Sequence, residues 1–194
     1  GGGTVRSSDD LLTNNGDTDS LTEGYTGTGI NLFRTNQTKI DNCGLKNNWR
    51  RGIVLSYSNK NVIFNSTITD NGLAHETPEI YGIYFQAGMG IDLQVSNENL
   101  IYSNIIANTT ENRQRYGIYI NGASNNTIYN NIVNNTRNAY QLSDISLNNW
   151  NITKTSGQNI IGGKYLGGNY WNDYTGGDSN YDGLGDTELP YKSG

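Results

Sequence analysis

The sequence predicts an all-β protein, a right-handed single-stranded parallel β-helix of about five coils with three strands per coil. Three observations carry that expectation: a spacing of 23 residues, a Gly-Ile-x-apolar frame that opens each repeat, and 31 Asn against only 2 Pro in 194 residues. A fixed short period means units that cannot bury their apolar side alone and do so only by stacking on their neighbours.

The frame recurs as Gly29-Ile30-Asn31-Leu32, Gly52-Ile53-Val54-Leu55, Gly82-Ile83-Tyr84-Phe85 and Gly117-Ile118-Tyr119-Ile120, with Ala139-Tyr140-Gln141-Leu142 as a weaker fifth copy. Ten residues on comes a second apolar position, Ile40, Ile63 and Ile128, with Ile101 and Ile161 as counterparts where loops intervene. Five residues further comes a third, Leu45, Ile68, Ile106, Val133 and Leu166. Three short segments of period 2 in 23 residues suit one solenoid coil, and the helical segment and multiple-Leu signature of a leucine-rich repeat are absent. The expected interior is Ile53, Ile63, Ile68, Ile83, Ile101, Ile106, Ile118, Ile128 and Val133. Flanking the third apolar position run the columns Cys43, Ser66, Asn104, Asn131 and Asn47, Asp70, Asn108, Asn135, side chains suited to bonding the coil above or below and to left-handed corner residues.

Departures from the period place the loops. Seven extra residues fall around Leu73 to Glu79, eight in Gln86 to Asn97, four between Ile106 and Ile118, and eleven around Ser143 to Gly157. Residues 1–23 read as a lead-in from a longer chain, 24–171 as the β-helix, and 172–194 as a Gly/Asp-rich tail. The start at Gly1-Gly2-Gly3, with no Met and no signal peptide, suggests a domain whose partners include other domains of the same chain.

Composition narrows function. Only 16% of residues are charged and 14 are Tyr, which a solvated coil does not need. A net charge of −5 argues against nucleic acid, no apolar run is long enough to insert in a membrane, and one Cys builds no disulfide framework.

The stretch Gly117-Ile118-Tyr119-Ile120, followed by Ser124-Asn125-Asn126-Thr127-Ile128-Tyr129-Asn130-Asn131-Ile132, resembles the parallel β-helix repeats of the carbohydrate-binding and sugar-hydrolase group, the nitrous-oxide accessory type included. The closing Gly167-Gly168-Asn169-Tyr170-Trp171-Asn172-Asp173-Tyr174 and Asp182-Gly183-Leu184-Gly185-Asp186 look like the tail of surface β-helix proteins of methanogenic archaea, the disaggregatase-related domains among them. The resemblance implies a secreted or cell-surface domain in a polysaccharide context, with lyase-like or hydrolase-like depolymerisation. It carries over no catalytic residue.

Strand alternation places Asn31, Val54, Tyr84, Tyr119 and Gln141 outward in one column, where Tyr rings about 4.8 Å apart would form a sugar platform. Stacking also brings Arg50 and Arg51, then His75, Glu76, Glu79 and Tyr81, then Arg113, Arg115 and Tyr116 onto one edge. A polyuronide lyase needs a cation for the sugar carboxylate, a base for the C5 proton and an acid for the leaving oxygen. Arg51 or Arg115, His75, and Tyr81 or Tyr116 supply those types. A glycosidase would draw instead on Glu76 and Glu79. Asn31, Tyr84, Tyr119, Gln141, Arg50 and Arg113 are the expected substrate contacts. Asp178, Asn180, Asp182 and Asp186 follow a calcium-loop spacing, with Leu189 where the last acidic ligand would stand, so a structural calcium is expected and no organic cofactor. The function expected is binding and depolymerisation of an acidic cell-envelope polysaccharide. The alternative is a non-catalytic carbohydrate-binding or adhesion module of a surface-layer protein.

Overall fold

The computed structural model describes residues 4–6, 12–13, 27–72, 88–110, 113–142 and 147–191. Strands β1 (Thr4–Arg6) and β2 (Leu12–Thr13) precede five coils. The first coil is β3 (Thr28–Phe33), β4 (Lys39–Asp41) and β5 (Gly44–Lys46), and the second is β6 (Arg51–Ser56), β7 (Val62–Phe64) and β8 (Thr67–Thr69). The third is β9 (Met89–Gln94), β10 (Leu100–Tyr102) and β11 (Ile105–Ala107), and the fourth is β12 (Tyr116–Asn121), β13 (Thr127–Tyr129) and β14 (Ile132–Asn134). The fifth runs from β15 (Arg137–Gln141) to β18 (Tyr170–Trp171), with an antiparallel hairpin of β16 (Thr155–Ser156) and β17 (Tyr165–Leu166) between them. Equivalent strands stack in register into three sheets, β1-β4-β7-β10-β13, β18-β14-β11-β8-β5 and the six-stranded β15-β12-β9-β6-β3-β2. All the coil-to-coil pairings are parallel, while β1 and β2 lie antiparallel on β4 and β3 and so cover two edges of the first coil.

Four interior columns follow. Ile30, Ile53, Ile91, Ile118 and Ala139 form one, and Leu32, Leu55, Leu93, Ile120 and Gln141 the next. Ile40, Ile63, Ile101 and Ile128 lead to Trp150 through the bridge of Thr127 to Asn149, and Leu45, Ile68, Ile106 and Val133 lead to Trp171. Eight of the nine expected interior residues are 0% exposed, and the ninth, Ile83, lies outside the described residues.

Three expectations of register change. The third coil opens at Gly90-Ile91-Asp92-Leu93 and not at Gly82-Ile83-Tyr84-Phe85, which lies outside the described residues; the two insertions expected there are therefore one, since Ile53 to Ile91 is fifteen residues longer than the repeat. Ile91 keeps the ten-residue step to Ile101, whereas Ile83 does not. In the fifth coil Ala139, and not Tyr140, pairs with Ile118. Its later interior positions are Trp150 and Trp171 in place of Ile161 and Leu166, because residues 152–168 are the insertion: Ile161 is 52% exposed and Leu166 belongs to the β16–β17 hairpin.

The corners are held by side-chain ladders. Cys43 N–H donates to Ser66 Oγ at 3.1 Å, Ser66 N–H to Asn104 Oδ1 at 3.0 Å, Asn104 N–H to Asn131 Oδ1 at 2.9 Å and Asn131 N–H to Asn169 Oδ1 at 3.1 Å. A second ladder passes from Thr38 through Asn61, Asn99 and Asn126 to Asn148. At the third corner the ladder is Asn48, Asn71, Gln114, Asn135 and Asn138: Asn135 stands where expected, Asn48 and Asn71 lie one residue beyond Asn47 and Asp70, and Gln114 takes the place expected of Asn108. Asn47 and Asp70 instead take left-handed backbone angles, φ 59° and 55°, and Asp70 accepts hydrogen bonds from Thr109 and Thr110 in the loop that precedes the fourth coil.

The glycine of each frame is set by this packing. A β-carbon on Gly52 would lie 2.4 Å from Ile68 Cγ2 and 2.6 Å from the carbonyl oxygen of Gly90, and Gly29, Gly90 and Gly117 are equally confined. Gly52→Ala is therefore expected to destabilise the protein by about 1–3 kcal/mol, the usual cost of forcing volume into a filled core. Ser66→Ala, which keeps the interior apolar set and leaves the buried Cys43 N–H without its acceptor, should cost about 1–3 kcal/mol. Urea unfolding followed by circular dichroism checks both losses.

Candidate functional site

The inward glycine shapes the outer face of the six-stranded sheet. Glycine and the isoleucine after it both face the core, so the residues flanking that pair face out. Two outward columns result: Thr28, Arg51, Met89, Tyr116 and Arg137, and Asn31, Val54, Asp92, Tyr119 and Tyr140. Asn31 and Tyr119 stand where they were expected. Asp92 takes the place assigned to Tyr84, and Tyr140 the place assigned to Gln141, which the fifth-coil register turns inward in line with Ile120.

On coils one to three this face is buried, with the polar Thr28, Asn31, Arg51 and Asp92 beside Val54 and Met89. Arg51 and Asp92 have no exposed side-chain surface, and Arg51 Nε lies 3.0 Å from Asp92 Oδ2. Gln94 Nε2 donates to the same oxygen at 2.9 Å, and Ser56 Oγ donates to Gln94 Oε1 at 3.4 Å. Burial pushes the Asp92 carboxyl above the usual carboxylate range, against the pull of Arg51 and the Gln94 amide. Among the described residues, Thr28 Oγ1, Asn31 Oδ1 and Asp92 Oδ1 are buried without a hydrogen-bond partner. Unpaired polar atoms of this kind cost about 1–3 kcal/mol each and are few in native structures.

On coils four and five the face is half-buried and aromatic. Tyr119 and Tyr140 stack with centroids 5.4 Å apart at 25°, and Tyr116 stands edge-on to Tyr119 at 5.6 Å and 79°. The Arg115 guanidinium lies 5.4 Å from the Tyr116 ring centre and that of Arg137 5.7 Å from the Tyr140 ring centre. Burial first, then the negative charge of Asp92, raises the Tyr119 hydroxyl above its ordinary value, so it stays a hydrogen-bond donor.

Of the expected catalytic set, Arg51, Arg115 and Tyr116 are on this face, while His75, Glu76, Glu79 and Tyr81 lie outside the described residues, as does Tyr84. Arg50 precedes β6, its N–H donating to Gly27 O, and Arg113 sits at the neighbouring corner with Nη1 donating to Asn47 Oδ1 at 3.1 Å. Asp92, Arg137 and Tyr140 were missed. The signal for Asp92 was the second Gly-Ile frame at Gly90, and for Tyr140 and Arg137 the one-residue shift of the fifth coil.

The tail residues Asp178, Asn180, Asp182 and Asp186 share one loop. Asp178 accepts from the N–H of Asp182 at 3.1 Å and of Gly183 at 2.8 Å, and Asp186 from Ser179 at 2.8 Å. Asn180 Oδ1 accepts from Asp182 N–H at 3.0 Å, and Asp182 pairs with Lys154. Among the described residues no group of three or more His, Cys, Asp or Glu is arranged to hold a metal ion.

A family model described as "Periplasmic copper-binding protein (NosD)" matches residues 3–176. No curated protein matches the chain.

The buried ion pair yields a stability prediction. Arg51→Met alone strands the Asp92 carboxylate and should cost about 3–5 kcal/mol, whereas Arg51→Met with Asp92→Leu should recover most of that loss, because a buried pair replaced by apolar groups is close to neutral. Denaturant midpoints of the two variants and the parent decide this.

Proposed function

The chain belongs to the NosD family, and we propose that it is an extracytoplasmic parallel β-helix module that holds an acidic polysaccharide along the fourth- and fifth-coil part of the outer face of its six-stranded sheet. The location follows the family's periplasmic description, and no helix among the described residues is long and apolar enough to cross a membrane. The observation that carries the reading is the row of Arg115, Tyr116, Tyr119, Arg137 and Tyr140, which concentrates guanidinium groups and Tyr hydroxyls in a chain of net charge −5. Guanidinium forks match carboxylates, and Tyr combines an apolar ring with a hydroxyl. Because Tyr119 and Tyr140 stack on each other, a sugar chain along the coil axis meets their edges and hydroxyls more than their faces.

Depolymerisation is the second reading, favoured by one observation, the half-buried Tyr119 hydroxyl, kept protonated by its surroundings, in the row that holds Arg115 and Arg137. It would give an elimination an acid for the leaving oxygen, with Arg115 or Arg137 facing the sugar carboxylate, since Arg51 is buried against Asp92.

The family description names copper, and the described donors do not fit it. Copper sites use imidazole, thiolate and thioether ligands. The single thiol, Cys43, is buried, held protonated by that burial, and donates to the Asp41 carbonyl oxygen at 3.4 Å. Met89 is 1% exposed and His75 lies outside the described residues. No step is derived through copper. Calcium in the Asp178–Asp186 loop remains our proposal as a brace for the tail. It would compete there with the backbone amides and with Lys154.

Isothermal titration with polygalacturonate at low salt should show saturable binding that weakens as salt rises. Arg137→Ala and Tyr119→Ala should each lower affinity about tenfold, about 1.4 kcal/mol, with an unchanged circular dichroism spectrum. Binding equal to the parent in both variants removes the sheet face as the site, and unsaturated product absorbing in the ultraviolet would promote the depolymerase. Repeating the melts with chelator and with millimolar calcium tests the tail: a folded-state ion raises the melting temperature by mass action, and identical curves exclude it.

A further inference from the structure

We propose that the C-terminal end of the solenoid is a second binding site, one that takes a neutral sugar. A cleft of about 1220 Å³ lies between the fifth coil and the tail, lined among others by Tyr140, Trp150, Asn151, Tyr170, Trp171 and Leu184. Its floor is a break in the interior pattern. Two columns that carry only Ile, Leu or Val through four coils end in Trp150 and Trp171, whose rings lie 5.8 Å apart.

The tail is fastened over this end without filling it. The Tyr191 ring stacks on Trp171 at 4.4 Å and 6°, its hydroxyl donates to Asp173 Oδ1 at 2.7 Å, and Asn138 Nδ2 donates to Asn172 Oδ1 at 2.7 Å. A lid that served only to bury the last coil would be packed to the density of protein interiors, with no space of this size. Pockets that enclose small ligands hold about 300–1,000 Å³, so the cleft has room for more than one sugar ring.

The charged side chains in the lining are already engaged within the protein, and that selects the ligand. Lys154 is paired with Asp182 and stands 4.3 Å from the Tyr165 ring centre, while both Asp178 oxygens accept backbone N–H groups. What the described lining leaves to a ligand is chiefly aromatic surface, the exposed amides of Asn151 and Asn172 and the Tyr170 hydroxyl. Such a wall suits a molecule with apolar C–H faces and hydroxyl edges, which is the chemistry of an uncharged pyranose. Among the described lining residues the one cation, Lys154, is already paired, so an acidic sugar is less well matched there than on the sheet face. The site stands independently of the sheet-face reading and shares with it only Tyr140.

Two of the three tryptophans line the cleft, so intrinsic fluorescence reports its occupancy. Titrating the chain with cellohexaose, mannohexaose and maltohexaose should give a saturable emission change with at least one of them. Trp150→Ala should weaken that binding at least tenfold, and Trp150→Phe, which keeps an aromatic ring against the core, should stay within about threefold of the parent. Polygalacturonate binding measured by calorimetry should be the same in Trp150→Phe and the parent. The proposal is overturned if none of the three sugars changes the emission, if Trp150→Ala binds them like the parent, or if an alkyl probe such as octanol binds and the sugars do not. Loss of polygalacturonate binding alone, with the neutral sugar still bound, contradicts the sheet-face reading and leaves this site in place.

Discussion

Backbone groups at a solenoid corner have no strand partner, and the structure depends on how they are satisfied. Along each of three ladders the N–H of a corner residue is accepted by a side-chain oxygen from the next coil, most often the amide of an Asn. The same amide's Nδ2 reaches back, as Asn104 does to Ile63 O at 3.0 Å and Asn131 to Ile101 O at 3.0 Å. Each Asn therefore closes two backbone accounts that burial would otherwise leave open, since an unpaired buried amide costs as much as a lost hydrogen bond. The stacked Ile and Leu columns supply apolar burial. The ladders decide that coils stack at one register.

That register positions the outer face of the six-stranded sheet. With glycine and isoleucine both directed at the core, outward positions fall in fixed columns, and neighbouring coils bring Arg51 to Asp92 and Tyr119 to Tyr140. The face changes character along the axis, from a buried end that holds the Arg51–Asp92 pair to a half-buried Tyr and Arg row, and then into the aromatic cleft at the fifth coil.

Much of this was legible in the residues. The period, the Gly-Ile frame and the Cys43–Ser66–Asn104–Asn131 column predicted the coils, because they repeat at spacings that only stacking explains. Legibility failed where the pattern offered two solutions. Ile83 and Ile91 both follow a glycine, and only the ten-residue step to Ile101 separates them. In the fifth coil the glycine is replaced by Asn138, which joins a ladder, and the interior residues become Ala139, Trp150 and Trp171, so the apolar signature that marks the other coils is lost. Those same departures hid Asp92 and Tyr140, and the meeting of Arg51 with Asp92 comes from the stacking of the second and third coils, which no local pattern encodes.

Comparing Asn104→Ala with Ile101→Ala by urea unfolding weighs the ladder against the apolar core most directly. Asn104 accepts from Ser66 N–H and donates to Ile63 O, so its loss strands at least two buried backbone groups, at about 1–3 kcal/mol each. Truncating the fully buried Ile101 should cost about 2–5 kcal/mol. If the ladder sets the stacking, Asn104→Ala is destabilised by at least as much as Ile101→Ala. A loss below about 1 kcal/mol for Asn104→Ala, the net worth of one ordinary hydrogen bond, with Ile101→Ala in its usual range, would contradict the account.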